Sequence, residues 1–151
     1  MDNLDLFVSE LLRNNNLENL KNSIKAYNQL PEYFAKKYKS YIEAKGVKYD
    51  LWFWKPHYFG LNAKTKHFTL SVDFEFSING LLIIAFIRSG DKSQIENYKN
   101  ISGDRFPFVE KRKENSYRLK IDSVFDQELI EEKINLIIET IDNFIRQWHG
   151  T

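Results

Sequence analysis

The chain contains no cysteine. Disulfides and thiolate metal sites are therefore excluded, and nothing points to an oxidising compartment. Its three histidines, His57, His67 and His149, have no short spacing of the kind that zinc ligands use. With so few histidines among 21 Asp and Glu, no Ser/His/Asp arrangement can be singled out. Six glycines, none clustered, leave no Gly-rich loop to cradle a phosphate. An excess of one charge is missing too. The formal net charge is +1, which removes any overall pull toward nucleic acid or an anionic membrane. The longest apolar run, Leu81 to Ile87, is far shorter than the roughly 20 residues needed to span a bilayer. The opening Met-Asp-Asn-Leu-Asp-Leu-Phe is acidic and lacks the basic start of a secretory signal. These absences lead us to expect a cytoplasmic protein with no membrane partner, no metal and no cofactor.

The clearest signal that is present runs from His67 to Arg88. Phe68, Leu70, Val72, Phe74, Phe76 and Ile78 alternate with Thr69, Ser71, Asp73, Glu75 and Ser77. Period two means a strand with one buried and one polar face. Asn79-Gly80 follows, the strongest short hairpin signal, because a type I′ turn needs positive φ at both central residues. That turn would pair Ile78 with Leu81, Phe76 with Ile83 and Phe74 with Ala85. The returning strand, Leu81 to Ile87, is apolar on both faces, so it belongs in the middle of a sheet. Its second face would lie beside Asp73 and Glu75, as a half-covered surface.

Helical spacing surrounds this hairpin. Leu4, Phe7, Val8, Leu11 and Leu12 predict a first helix, interrupted at Asn14-Asn15-Asn16. A second helix is expected from Leu17 to about Gln29. Pro31 suits the first turn of a third, which would end at Gly46. Tyr49 to Lys55 reads as a strand stopped by Pro56. Residues 91–100 predict a short helix capped by Asp91 or Ser93. Arg105 to Lys113 and Tyr117 to Ile121 predict a second hairpin turning near Glu114-Asn115. Ile130, Ile134, Ile137, Ile141, Phe144 and Trp148 form the stripe of a closing helix that starts near Asp126. The fold class is α+β. It is an antiparallel sheet of about five strands, with N-terminal helices and a long C-terminal helix packed on it. A chain of 151 residues suits one domain. Its parts would be helices over 3–45, the sheet region over 49–121 and the last helix over 126–149.

Each candidate for chemistry has a plainer reading. Asp73 and Glu75, with Arg88 as a diagonal neighbour, could form an acid–base or metal pair, but alternating charges are also what a solvated strand face carries. Asp104 followed by Glu110-Lys111-Arg112 approaches a PD-(D/E)xK nuclease motif but places Arg where Lys is required. His67-Phe68-Thr69 and His149-Gly150-Thr151 match the short motif of two-histidine phosphoesterases. The second match follows a helix, whereas that family sets both motifs on strands. Arg105, Lys111, Lys113, Arg118 and Lys120 make the second hairpin basic, with Lys111 and Lys113 on one face and Arg118 and Lys120 on the other. Phosphates could bind there, and lysines also protect an edge strand from association. Aromatic residues make up 15% of the chain, densest from Trp52 to Phe59. Trp52 and Trp54 share one strand face and Leu51 and Phe53 the other. Trp and Tyr are the usual anchors of interfaces, although large aromatics are more often buried.

One resemblance accompanies this reading. Four pieces carry it: the strand Leu81 to Ile87, the short helix with Ile95-Glu96-Asn97-Tyr98, the strand ending Tyr117-Arg118-Leu119-Lys120-Ile121, and the long closing helix. Together they make the stretch from Phe68 to Trp148 resemble an uncharacterised C-terminal domain of proteins with PD-(D/E)xK-type or restriction-like nuclease regions. No catalytic motif is shared, so no functional residue is carried over. The resemblance implies a place near nucleic-acid defence, as an accessory or an inhibitor. The expectation is a non-enzymatic, macromolecule-binding protein with no catalytic residues. Trp52, Trp54, Tyr58, Asp73 and Arg88 would contact another protein or a second copy in a homodimer. The alternative is a nucleic-acid-binding or nuclease-related module that uses the basic hairpin 105–120.

Overall fold

The computed structural model of the chain describes residues 3–13, 17–113 and 116–149. The chain divides between Leu30 and Pro31 into two compact units. The first holds α1 (Asn3–Arg13) and the opening turns of α2 (Leu17–Ala44). Within it Leu4, Leu6, Leu12, Leu17, Ile24 and Tyr27 are exposed. The break expected at Asn14-Asn15-Asn16 falls outside the described residues.

Two separate helices were expected on either side of Pro31, but α2 is one helix with this proline inside it. Proline deletes one backbone donor and crowds the preceding turn, and here that does not end the helix. Helix-forming residues flank it on both sides, Gln29-Leu30 before and Glu32 after. Gly46 ends the run as expected, its N–H donating to the Glu43 carbonyl at 3.0 Å.

The second unit is built on six antiparallel strands: β1 (Asp50–Lys55), β2 (Tyr58–Lys64), β3 (Phe68–Ser77), β4 (Gly80–Gly90), β5 (Glu110–Lys113) and β6 (Ser116–Ile121). They stand in the order β1-β2-β3-β4-β6-β5. The first four form a meander. Helix α3 (Gln94–Ser102) and a 3-10 turn (Gly103–Arg105) carry the chain to β5, and α4 (Gln127–His149) closes it. The fold is therefore α+β, as the patterning implies. β4 lies between β3 and β6, the interior place its two apolar faces require.

The register differs from the expected one by two residues. Phe76 pairs with Leu81, Phe74 with Ile83 and Val72 with Ala85, so the turn residues are Ile78 and Asn79 rather than Asn79 and Gly80. A two-residue shift keeps every side chain on its own face, which is why the facial assignment still holds.

One face of the sheet is the core. Phe59, Leu61, Ala63, Leu70, Val72, Phe74, Phe76, Leu81, Ile83, Ala85 and Leu119 are buried on it. Phe59 stacks on Phe74 at 4.8 Å, and Phe76 stacks on Tyr38 of α2 at 5.7 Å. Helix α4 contributes Ile130, Ile134, Ile137, Ile141 and Phe144, all buried. The Phe144 ring meets Phe68 at 5.0 Å and Tyr98 of α3 at 5.1 Å. Asp126 caps α4 by accepting the Leu129 N–H at 3.2 Å. The side chain of Trp148, the last member of the expected stripe, lies outside the described residues.

The second hairpin is shorter than its sequence suggests. Arg105 belongs to the 3-10 turn, and β5 starts only at Glu110. An irregularity between Lys111 and Lys113 sets Lys111 across from Tyr117 and Lys113 across from Ser116. Tyr117 and Ser116 point to opposite faces, so the two lysines do not share one as expected. The turn near Glu114-Asn115 lies outside the described residues.

Candidate functional site

The face of the sheet turned away from α3 and α4 carries the candidate site. Pairing places Trp52 beside Gly60, Gly60 beside Asp73, Asp73 beside Ile84, and Ile84 beside Arg118. The neighbouring row runs through Asn62, Ser71 and Phe86. Strand alternation thus brings residues from five strands onto one face.

Trp52, Trp54, Tyr58, Asp73 and Arg88 do come together. The Trp52 and Trp54 rings meet edge to face at 5.4 Å, and Trp54 stacks with Tyr58 at 6.5 Å. The Arg88 guanidinium lies 5.0 Å over the Trp54 ring, a cation–π contact. The Tyr58 hydroxyl donates to Asp73 Oδ2 at 2.7 Å. Trp54 is 41% exposed, and Trp52 and Tyr58 are half-buried. The segment is therefore not ordinary core.

Asp73 departs from the expected solvated face. It is only 6% exposed, covered by the aromatic side chains around it, whereas Glu75 two residues on is exposed. Burial pushes the Asp73 carboxyl up from its usual range. The hydrogen bonds from Tyr58 and Trp54 and the charge of Arg88 pull in the other direction without cancelling it. The Trp54 indole N–H also reaches the Asp73 carboxylate, while Oδ1 has no hydrogen bond of ordinary geometry. Tyr58 is pushed well above the ordinary phenol range, first by burial, then by its bond to Asp73.

Three contributors escaped the sequence reading. A Cβ at Gly60 would lie 2.5 Å from Trp54 Nε1 and 2.8 Å from Asp73 Oδ1, so only glycine lets the indole cross the strand. Asn62 and Ser71 are buried as a polar pair at 2.6 Å. The amide orientation that satisfies both neighbours turns its nitrogen to Ser71 and its oxygen to Arg88 Nη1 at 3.3 Å. A glycine inside an alternating stretch was the available signal for the first of these.

The other candidates do not assemble. Among the basic residues of the hairpin, Lys111 pairs with Glu96 at 3.2 Å and Arg118 with Glu110 at 2.5 Å. Lys113, Lys120 and Arg105 are exposed. Among the described residues no group of three or more His, Asp or Glu could hold a metal ion. Asp104 sits in the 3-10 turn and Glu110 in β5. His67 precedes β3 and is exposed, and the His149-Gly150-Thr151 match falls on residues outside the description. No helix among the described residues is long and apolar enough to cross a membrane. No protein-family model, curated protein or solved structure matches this chain.

Asp73 makes a titration prediction. Its folded-state pKa is raised, so between the unfolded and folded values the native state binds more protons. The contribution of Asp73 to stability must then fall as pH rises through that interval. Asp73→Asn removes the titration. Chemical denaturation across the acid range should show wild-type stability declining relative to Asp73→Asn as pH increases. Parallel pH profiles for the two proteins would contradict the assignment.

Proposed function

We propose that the protein is a non-enzymatic recognition module of the cytoplasm that binds another protein through the outer face of its sheet. One observation carries this reading. Trp52, Trp54 and Tyr58 stand partly exposed on a sheet face, held in place by Arg88 above and buried Asp73 below. Trp, Tyr and Arg are the residue types that dominate interface energetics. Anchors already locked by their neighbours lose little freedom on binding. An accessory or inhibitory role in bacterial or phage defence rests on the resemblance of residues 68–148 to the nuclease-associated domain, and on nothing else.

The test is a comparison of wild type with Trp54→Ala. Partners recovered from the native host, or self-association followed by sedimentation, supply the complex to be measured. Trp54→Ala should weaken it by about 2 kcal/mol or more, with the melting transition retained. Unchanged affinity would remove this face from the interface. A complex with an oligonucleotide that weakens steeply with salt, and is lost in Lys113→Glu with Lys120→Glu but not in Trp54→Ala, would support the basic-hairpin reading instead.

A further inference from the structure

A second candidate site lies at a corner of the sheet, adjoining the aromatic patch at Asn62. β1 starts pairing only at Asp50, opposite Asn62, while β2 continues through Ala63 and Lys64 along β3. The longer strand leaves an open corner. Residues 45–49 flank it on one side and α4 on the other, bordering an open cleft of ≈ 690 Å³. That volume falls within the roughly 300–1,000 Å³ range of small-molecule sites.

The cleft lining is chemically divided. Lys45, Lys48, Lys64 and Arg146 line it from the loop, from β2 and from α4, the Lys45 ammonium lying 4.5 Å over the Tyr41 ring. None of the four makes an ion pair with a carboxylate among the described residues. Two carboxylates also line it, Asp50 and Asp142, and Asp142 already accepts the Tyr49 hydroxyl. The rest of the wall includes Val47, Ile138 and Ile145, all half-buried.

We propose that this corner binds a small organic phosphate. Lys45, Lys48, Lys64 and Arg146 hold its phosphate, and Val47, Ile138 and Ile145 receive its carbon body. The charge balance favours phosphate over carboxylate. Four cations against two carboxylates leave an excess of two positive charges, and a phosphate monoester brings about −1.5 to −2 near neutral pH. Arginine and lysine are also the side chains suited to its oxygens, one as a planar fork and the other as a mobile point charge. The apolar wall argues for a phosphate carried on an organic group rather than a free ion.

Isothermal titration calorimetry at low salt tests this with AMP, glucose 6-phosphate, inorganic phosphate and unphosphorylated adenosine as probes. At least one organic phosphate should bind saturably and tenfold or more tightly than inorganic phosphate, with adenosine silent. Lys64→Ala with Arg146→Ala should weaken that binding at least tenfold while the circular-dichroism melting curve stays in place. Lys64→Arg with Arg146→Lys, which preserves charge, should retain it. Absence of saturable binding to every probe, binding unaffected by the double alanine variant, or inorganic phosphate binding as tightly as the organic esters would each overturn the proposal.

Discussion

Phe76→Ala should lower the stability of the protein by about 3–5 kcal/mol, the loss typical of a buried ring removed from a core that collapses only partly. The side chain is 1% exposed. It stacks on Tyr38 at 5.7 Å with the rings nearly parallel, and on Phe59 at 6.1 Å. Its removal therefore breaks two aromatic contacts as well as opening a cavity. The rings on either side come from different elements, α2 and β2, and neither can follow the other into the gap. Urea unfolding monitored by circular dichroism measures the loss. A change below about 1 kcal/mol, the range of surface substitutions, would show that Phe76 does not join α2 to the sheet.

Gly80→Val should cost about 3 kcal/mol or more. Two causes add here. Gly80 has φ +147, a backbone region that L side chains rarely adopt and that costs of the order of 1–3 kcal/mol when forced. A Cβ at this position would also lie 2.2 Å from the Ile121 carbonyl oxygen and 3.2 Å from the Asp122 backbone. Both obstacles are main chain, at the end of β6, so no rotamer change can relieve them. The same denaturation experiment measures this loss, and Gly80→Ala should already carry most of it. Unaltered stability in Gly80→Val would mean that β4 does not pass β6 in this register.

The sequence made some elements plain because their signals were redundant. β3 alternates over its whole length, and β4 is apolar on both faces, so the pair and its interior place could be read without tertiary information. Its register could not. Asn79-Gly80 satisfies a type I′ turn, but Gly80 is needed elsewhere, to let β4 pass the backbone of β6, and the turn moves back to Ile78 and Asn79. That competing demand comes from a strand distant in sequence. β2 was hidden for a related reason. Phe59, Leu61 and Ala63 do alternate, but Pro56 before them and Gly60 and Asn62 between them read as loop. The glycine is instead the place where Trp54 crosses the sheet. Missing β2 concealed the link between the two halves of the site, since Gly60 stands between Trp52 and Asp73. Asp73 was misjudged because alternation predicts which face a residue occupies, not what lies over it. α2 was divided in two because proline usually marks a helix boundary, a statistical rule that its flanking residues override.

The strand order also sets a sequence of events during folding. β1 to β4 are joined only by residues 56–57, 65–67 and 78–79, so each closure is local and entropically cheap. β6 can reach β4 only after residues 91–109 and β5 have been threaded around, a slower search over a longer loop. Until it arrives, β4 presents an unpaired edge bearing Leu81 to Ile87, the longest apolar run in the chain. That interval is when the nascent protein is most open to pairing with another copy of itself. Substitutions that slow the docking of β6 should therefore reduce the yield of native protein at high concentration more than their effect on equilibrium stability would indicate.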